Sequence, residues 1–310
     1  MDTKEPFLIL LVLFILVGLA YSPFKEANQN KNSNGNPSSS VGVTSGNLGN
    51  SSNKEIAENI RDAEENIKRL EENLNKKIDE KNRSPYYGKI RMSNISGLYG
   101  DDPSQEYTYL STNLSKNETI KITDWYLKSE ITGYYATIGK ASLLPFPFAK
   151  TESDVVLQQM DRVVLTKGFS PIGISFRTNK CTGYFEENRT FVPSLSLQCP
   201  EPRDEKLPVF SGVYDRNDEC LDIIERIPRC TTKGSQFIRD LPDTVPSSCK
   251  TYLTTQINYN TCVAIHFGDT DFPSDEYRIY LNKFGPLWRK KQDKINLHDE
   301  NGLVVDSISY

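Results

Sequence analysis

Six cysteines, Cys181, Cys199, Cys220, Cys230, Cys249 and Cys262, fall within one stretch of the chain and nowhere else. An even, clustered set reads as a disulfide framework, which places the folded part in an oxidising compartment and staples one region of it. Their spacings of 18, 21, 10, 19 and 13 residues contain no Cys-x-x-Cys pair, so structural bridges are expected rather than a zinc site. The formal net charge is -4, and the basic residues are dispersed rather than clustered. That argues against nucleic acid as a partner, because a phosphate-tracking surface needs a local basic excess.

Residues 7–20 (FLILLVLFILVGLA) carry no charge, which makes water a poor solvent for them and predicts delivery to a membrane. The run is shorter than the roughly 20 residues that span a bilayer comfortably, so it fits both a cleaved signal peptide and a retained anchor. Residues 1–24 are assigned to this segment. No cysteine follows the run directly, which excludes lipid attachment there. Residues 25–53, dominated by Asn, Ser and Gly, cannot bury enough apolar area to offset ordering and are expected to form a disordered tether.

The pattern changes at residues 54–83. Ile60, Ile67 and Leu74 at position a, with Ile56, Ala63 and Leu70 at d, form a heptad seam. Such a seam predicts a coiled coil and a homo-dimer, with a solitary charged helix or one packed on the body as alternatives. Pro85 ends it, since the residue before a proline is turned away from helical geometry. A stalk of this kind behind the apolar run favours the retained anchor.

From residue 86 onward short β-rich runs alternate with Gly, Pro, Asn and Asp: 106–112, 118–129, 136–138, 161–166, 276–282, 294–298 and 303–310. The last two are joined through Asn301-Gly302, a hairpin signal. These runs predict a mainly β fold, an antiparallel β-sandwich. The segments EYTYL (106–110), ITDWYL (122–127), DRVVL (161–165) and the ending LHDENGLVVDSISY (297–310) resemble the lamin-tail domain family. That family is an immunoglobulin-like sandwich, found in nuclear lamins and in exported bacterial proteins. The resemblance covers residues 86–310, and the body is similar to uncharacterised bacterial members. It implies a scaffold and interaction module and transfers no catalytic residue. An insertion over about residues 178–273 departs from the family and leaves no ligand surface to carry over.

Within the insertion, residues 218–227 and 247–267 read as two helices. Packed antiparallel, they would bring Cys220 to Cys262 and Cys230 to Cys249, leaving Cys181 to pair with Cys199. His266 and His298 lie in no ligand motif and read as packing or surface histidines. No Gly-x-Ser-x-Gly elbow is present. The acidic pairs Asp269/Asp271 and Asp101/Asp102 read as solvated loops rather than calcium ligands. Trp125 and Trp288 read as core. The sequons at Asn94, Asn113, Asn117 and Asn188 read as chance in a bacterial chain. No cofactor or metal is expected. The chain therefore reads as a non-catalytic, exported or membrane-anchored cell-envelope protein with an unidentified envelope partner. The competing reading is an extracytoplasmic hydrolase whose site lies between sandwich and insertion.

Overall fold

The computed structural model describes residues 50–144, 151–210 and 217–310. The apolar run 7–20 and most of the tether lie outside the described residues. Among the described residues no helix is long and apolar enough to cross a membrane. Helix α1 (Asn50–Lys81) begins ahead of the heptad segment and is exposed from Ala57 onward. Its seam is not covered: Ile60, Ile67, Leu70 and Leu74 are 53–67% exposed. The helix stops where expected, and the backbone of Ser84 donates to the Val304 carbonyl at 2.9 Å.

Thirteen strands follow among the described residues. The larger sheet holds seven of them. In spatial order they are β1 (Ile90–Met92), β2 (Tyr107–Thr112), β9 (Arg162–Thr166), β11 (Pro273–Tyr280), β10 (Phe176–Asn179), β6 (Ala141–Ser142) and β7 (Glu152–Ser153). A four-stranded sheet runs β13 (Val304–Ser309), β12 (Lys294–His298), β4 (Tyr126–Ser129) and β5 (Tyr135–Thr137). Strands β3 (Ile120–Lys121) and β8 (Val156–Leu157) form a separate pair. The expected all-antiparallel arrangement is corrected: β9 runs parallel to β11, and β10 parallel to β6. The expected strand at residues 118–129 is also broken, because Asp124 takes a left-handed φ of 72° between β3 and β4.

Both larger sheets contribute to one apolar core. Leu110, Val163, Leu165 and Ile279 of the first meet Leu127, Ile295, Leu297 and Val305 of the second. Trp125 and Trp288 are buried in it, as expected, and the Trp125 Nε1–H donates to Glu300 at 2.7 Å. In the β12–β13 turn, Gly302 has a φ of 82° and the Asp299 carboxylate accepts from the backbone N–H groups of Asn301 and Leu303. The glycine alone of the Asn-Gly pair is left-handed, so the aspartate rather than Asn301 shapes the turn.

The insertion leaves the sheet after β10 and returns at β11, and Asn179 faces Pro273 across the ladder. It comprises a short 3-10 segment (Thr182–Glu187), an extended strap, and helices α2 (Asn217–Glu225), α3 (Ser235–Arg239), α4 (Ser247–Thr255) and α5 (Tyr259–His266). It has its own core, in which Cys220, Cys249, Ile224 and Leu253 are fully buried. Part of the strap lies on the outer face of the large sheet. There Thr166 donates to the Val192 carbonyl at 3.1 Å, and Arg278 donates to the carbonyls of Pro193 and Ser194. This cover explains why the run Val163, Val164, Leu165 is buried on both faces of β9.

One ion pair is the most deeply buried among the described residues. Lys167 Nζ meets Glu106 Oε2 at 3.0 Å, with side chains 1% and 5% exposed. Removing one member of such a pair strands the other charge in a poorly solvated site. Glu106→Gln should therefore destabilise the fold by about 3 to 5 kcal/mol, whereas Glu106→Leu combined with Lys167→Met should be close to neutral. Urea unfolding of the three proteins tests this; equal losses for the single and double variants would mean that the pair itself holds the loop in place.

Candidate functional site

All six cysteines are in bridges, but the expected pairing is wrong at every one. The bonds are Cys181–Cys262, Cys199–Cys230 and Cys220–Cys249, with Cα separations of 5.9, 5.3 and 6.0 Å. The expectation assumed one helix over residues 247–267. That helix breaks before Asn258, whose side chain accepts from the Thr261 N–H and caps α5 anew. The break separates the direction of Cys262 from that of Cys249. Cys249 then meets Cys220, Cys262 turns to Cys181 beside the end of β10, and Cys230 is left for Cys199. Gly183 is packed against this last bridge. A Cβ there would lie 2.7 Å from the Ser196 carbonyl and 3.0 Å from Cys199 Sγ, too close for any other residue.

Titratable groups gather in the insertion. His266 Nε2 is 2.7 Å from Glu205 and Nδ1 is 2.9 Å from Asp269. Lys180 in turn binds Asp269 at 2.8 Å and Asp271 at 2.6 Å. The Asp269/Asp271 pair is thus engaged by a lysine rather than merely solvated. Burial alone would lower the His266 pKa, but the bonds to Glu205 and Asp269 outweigh it and raise it above 6.5. With a carboxylate on each ring nitrogen, the charged form of the imidazole is favoured and both nitrogens are engaged, so neither is free to serve as a base on another molecule. His298 is a packing histidine: it is buried and stacks on Tyr126 at 4.7 Å, with Nδ1 3.0 Å from the Gly302 carbonyl.

Two clefts flank this region. One, of about 410 Å³, is lined mainly by apolar groups such as Tyr184, Leu207, Tyr252, Ile257 and Ile265; its single carboxylate, Glu205, is the one bound to His266. Burial first, then Glu205 and Glu187, push the Tyr184 hydroxyl up to about 12, so it stays protonated. The other, of about 530 Å³, lies where the hydrolase reading requires it, between Arg162 of the sheet and residues 178–182 of the insertion. Its Asp271 is bound by Lys180 and its Glu276 by Arg162 and Arg278. Among the described residues no hydroxyl lining it bonds to a carboxylate or imidazole.

The remaining concentration of unsatisfied surface is aromatic and lies at the end of the body formed by the β4–β5 hairpin and the β11–β12 loop. Phe284 is 79% exposed and Phe169 44%, with ring centroids 4.2 Å apart. Tyr134, Tyr135 and Ile131 of the hairpin are 56%, 60% and 55% exposed. The hairpin is tied to the loop by Thr132, which donates to the Leu287 carbonyl at 3.0 Å, and the loop to the segment after β9 by the backbone of Asn282, which donates to the Gly168 carbonyl at 3.0 Å. Between hairpin and loop lies an open recess of about 720 Å³, lined by Tyr134, Tyr135, Thr137, Lys283, Pro286 and Leu287 among others. Single exposed apolar residues are ordinary, but several exposed aromatic rings on neighbouring loops mark a candidate recognition surface. Sequence reasoning missed it. Two signals were available: adjacent Tyr134 and Tyr135, of which a strand can bury only one on a given face, and Phe284 set between Lys283 and Gly285 in a turn-rich loop.

The comparisons with known proteins identify no relative: no family model, no curated protein and no solved structure matches the chain.

The His266 cluster makes a pH prediction. The folded-state pKa is raised, so its stabilising contribution is fully present below the unfolded value of 6.5 and is lost as pH rises through the folded value. His266→Gln should be less stable than the parent chain at pH about 5.5, with the gap closing as pH rises past the folded value. Paired urea titrations across that range test the sign, and a gap that widens with pH would contradict the doubly bonded imidazolium.

Proposed function

We propose that this chain is a non-catalytic exported protein that displays a recognition domain from a membrane. In this reading residues 7–20 deliver it and serve as its anchor, or are cleaved to release it. The following low-complexity stretch acts as a tether, and α1 pairs with a second copy. The body is an immunoglobulin-like sandwich of the lamin-tail type that presents its aromatic end to an envelope component. The observation that carries this reading is the set of exposed aromatic residues, Phe169 and Phe284 in ring contact and Tyr134 and Tyr135 on the hairpin, set against clefts in which His266 is bound to Glu205, Lys180 to Asp271 and Arg162 to Glu276. Three disulfides suit an oxidising compartment outside the cytoplasm.

The charge pattern of α1 supports a parallel pair. Glu64 and Glu71 occupy e, while Asn59, Asn66 and Asn73 occupy g. A parallel dimer sets asparagine against glutamate, whereas an antiparallel one sets glutamate against glutamate.

Two measurements test the proposal. A photo-reactive benzoylphenylalanine in place of Phe284 should cross-link the chain, in its own cells, to an envelope component, while the same group in place of the remote Phe267 should not. Equal cross-linking at both positions, or free thiols on most of the cysteines in those cells, would defeat it. Separately, Ile67→Asp, at a site already exposed in the single chain, should turn a dimeric full-length protein monomeric in sedimentation without changing its unfolding midpoint. A parent chain that sediments as a monomer at micromolar concentration would remove the coiled coil from the proposal.

A further inference from the structure

Strand β5 is an edge of the four-stranded sheet, and its hydrogen-bonding pattern leaves that edge open. Tyr126, Leu127 and Lys128 face Thr137, Ala136 and Tyr135 in turn. On either side of these pairs, Ser129 N donates to the Tyr134 carbonyl at 3.0 Å and Ile138 N to the Trp125 carbonyl at 2.7 Å. Hydrogen-bonded and non-hydrogen-bonded pairs alternate along an antiparallel ladder. Ala136 therefore bonds inward to Leu127, and the N–H and C=O groups of Tyr135 and Thr137 point away from the sheet. Among the described residues nothing accepts from or donates to them.

Two other edges are capped at single points. On β13, the backbone of Val304 bonds to Asn82 and Ser84 at 2.8 and 2.9 Å. On β1, the outward N–H of Met92 is taken by the Asp306 carboxylate at 2.6 Å. Exposed edges are ordinarily blunted in this way, since an open one invites another strand. The open β5 edge instead faces the recess whose far wall is Lys283, Gly285, Pro286 and Leu287. Gly133 and Gly285 leave room at its margins, with nothing within 4 Å of where their Cβ atoms would be.

Within the lining of the recess, among the described residues, the only charged side chain is a lysine, Lys283. Lys128, exposed beside Tyr135, and Lys140, beyond Thr137, add to this. No ion pair is recorded for any of the three among the described residues.

We infer that β5 is a strand-addition site: an extended, acidic segment of a partner polypeptide lies in this recess, exchanges main-chain hydrogen bonds with Tyr135 and Thr137, and sets its carboxylates against Lys283 and Lys128. This rests on the display reading and supplies its partner chemistry. Main-chain bonds give such a complex its affinity, and alternate side chains give it specificity.

The test uses the full-length chain in detergent and a short labelled peptide of alternating valine and glutamate. The peptide should bind. N-methylation of one alternate set of its amides should weaken binding by at least about tenfold, while methylation of the other set is tolerated, because only one side of the strand faces β5. Lys283→Glu should weaken the acidic peptide by about tenfold and favour its lysine analogue. Thr137→Pro, which removes an outward donor, should abolish binding. No binding by the parent chain would overturn the inference, as would equal tolerance of both methylated peptides or self-association of the chain blocked by Thr137→Pro. Cross-linking at Phe284 that persists without peptide binding would sink strand addition alone, whereas loss of both would sink the display reading as well.

Discussion

The ladder between β10 and β11 bears on both parts of the body. Its pairs, Phe176 with Arg278 and Asn179 with Pro273, seat β11 in the middle of the large sheet and hold the two ends of the insertion one strand spacing apart. Just beyond that ladder, Cys181 bonds to Cys262 across 81 residues of sequence and closes the neck of the excursion. A loop of that length is costly to close in the unfolded chain, so a covalent neck has a large entropic effect there. With the neck fixed, the strap at residues 191–195 can lie on the outer face of the sheet, and β9 and β11 can run parallel, buried on both sides. The insertion is thus part of what makes the sheet's central pair possible.

This dependence explains which parts of the fold were legible in the sequence. Strands paired through local turns were readable, because Gly302 and the alternation around it are written within a few residues. The insertion over about residues 178–273 was set by the departure from the lamin-tail pattern rather than by a local signal, and in the fold Asn179 faces Pro273 across the ladder. The parallel pairing of β9 with β11 was not readable, because its partners are separated by the whole insertion and no local signal specifies them. The unbroken Val163-Val164-Leu165 run was a trace of two-sided burial, but it reads equally as one strand of a sandwich. The disulfide pairing failed at a single point, the cap at Asn258. A three-residue break between two helices is enough to exchange the partners of every cysteine when the pairing is inferred from helix geometry alone.

The candidate surface was less legible than the fold, for a related reason. Tyr134, Tyr135, Phe169 and Phe284 come from three separate loops, and only the backbone bonds from Asn282 to Gly168 and from Lys283 to Lys167 bring the last two together. Aromatic residues in loops are commonly drawn into a core, and Trp288, only four residues beyond Phe284, is. What keeps Phe284 outside is the shape of the loop. Asn282 turns the chain with a left-handed φ of 54°, and Leu287 and Trp288 take the inward positions.

Electrostatics draws the same line between interior and surface. Inside, cations are matched one by one: Lys167 with Glu106, Arg177 with Asp161, Arg278 with Glu276 and the strap carbonyls. Burial raises the Asp161 pKa, with a backbone hydrogen bond and Arg177 opposing it, so even this paired carboxylate sits where charge is disfavoured. Such pairs lock segments together and leave little free to react or to bind. Around β5 the balance reverses: among the described residues Lys128, Lys140 and Lys283 form no ion pair, the outward backbone groups of Tyr135 and Thr137 have no partner, and Tyr134 and Tyr135 are exposed. Each of these is individually tolerable in water. Their concentration on one short edge, beside a recess with a lysine in its wall, is what distinguishes β5 from an edge that is merely unprotected.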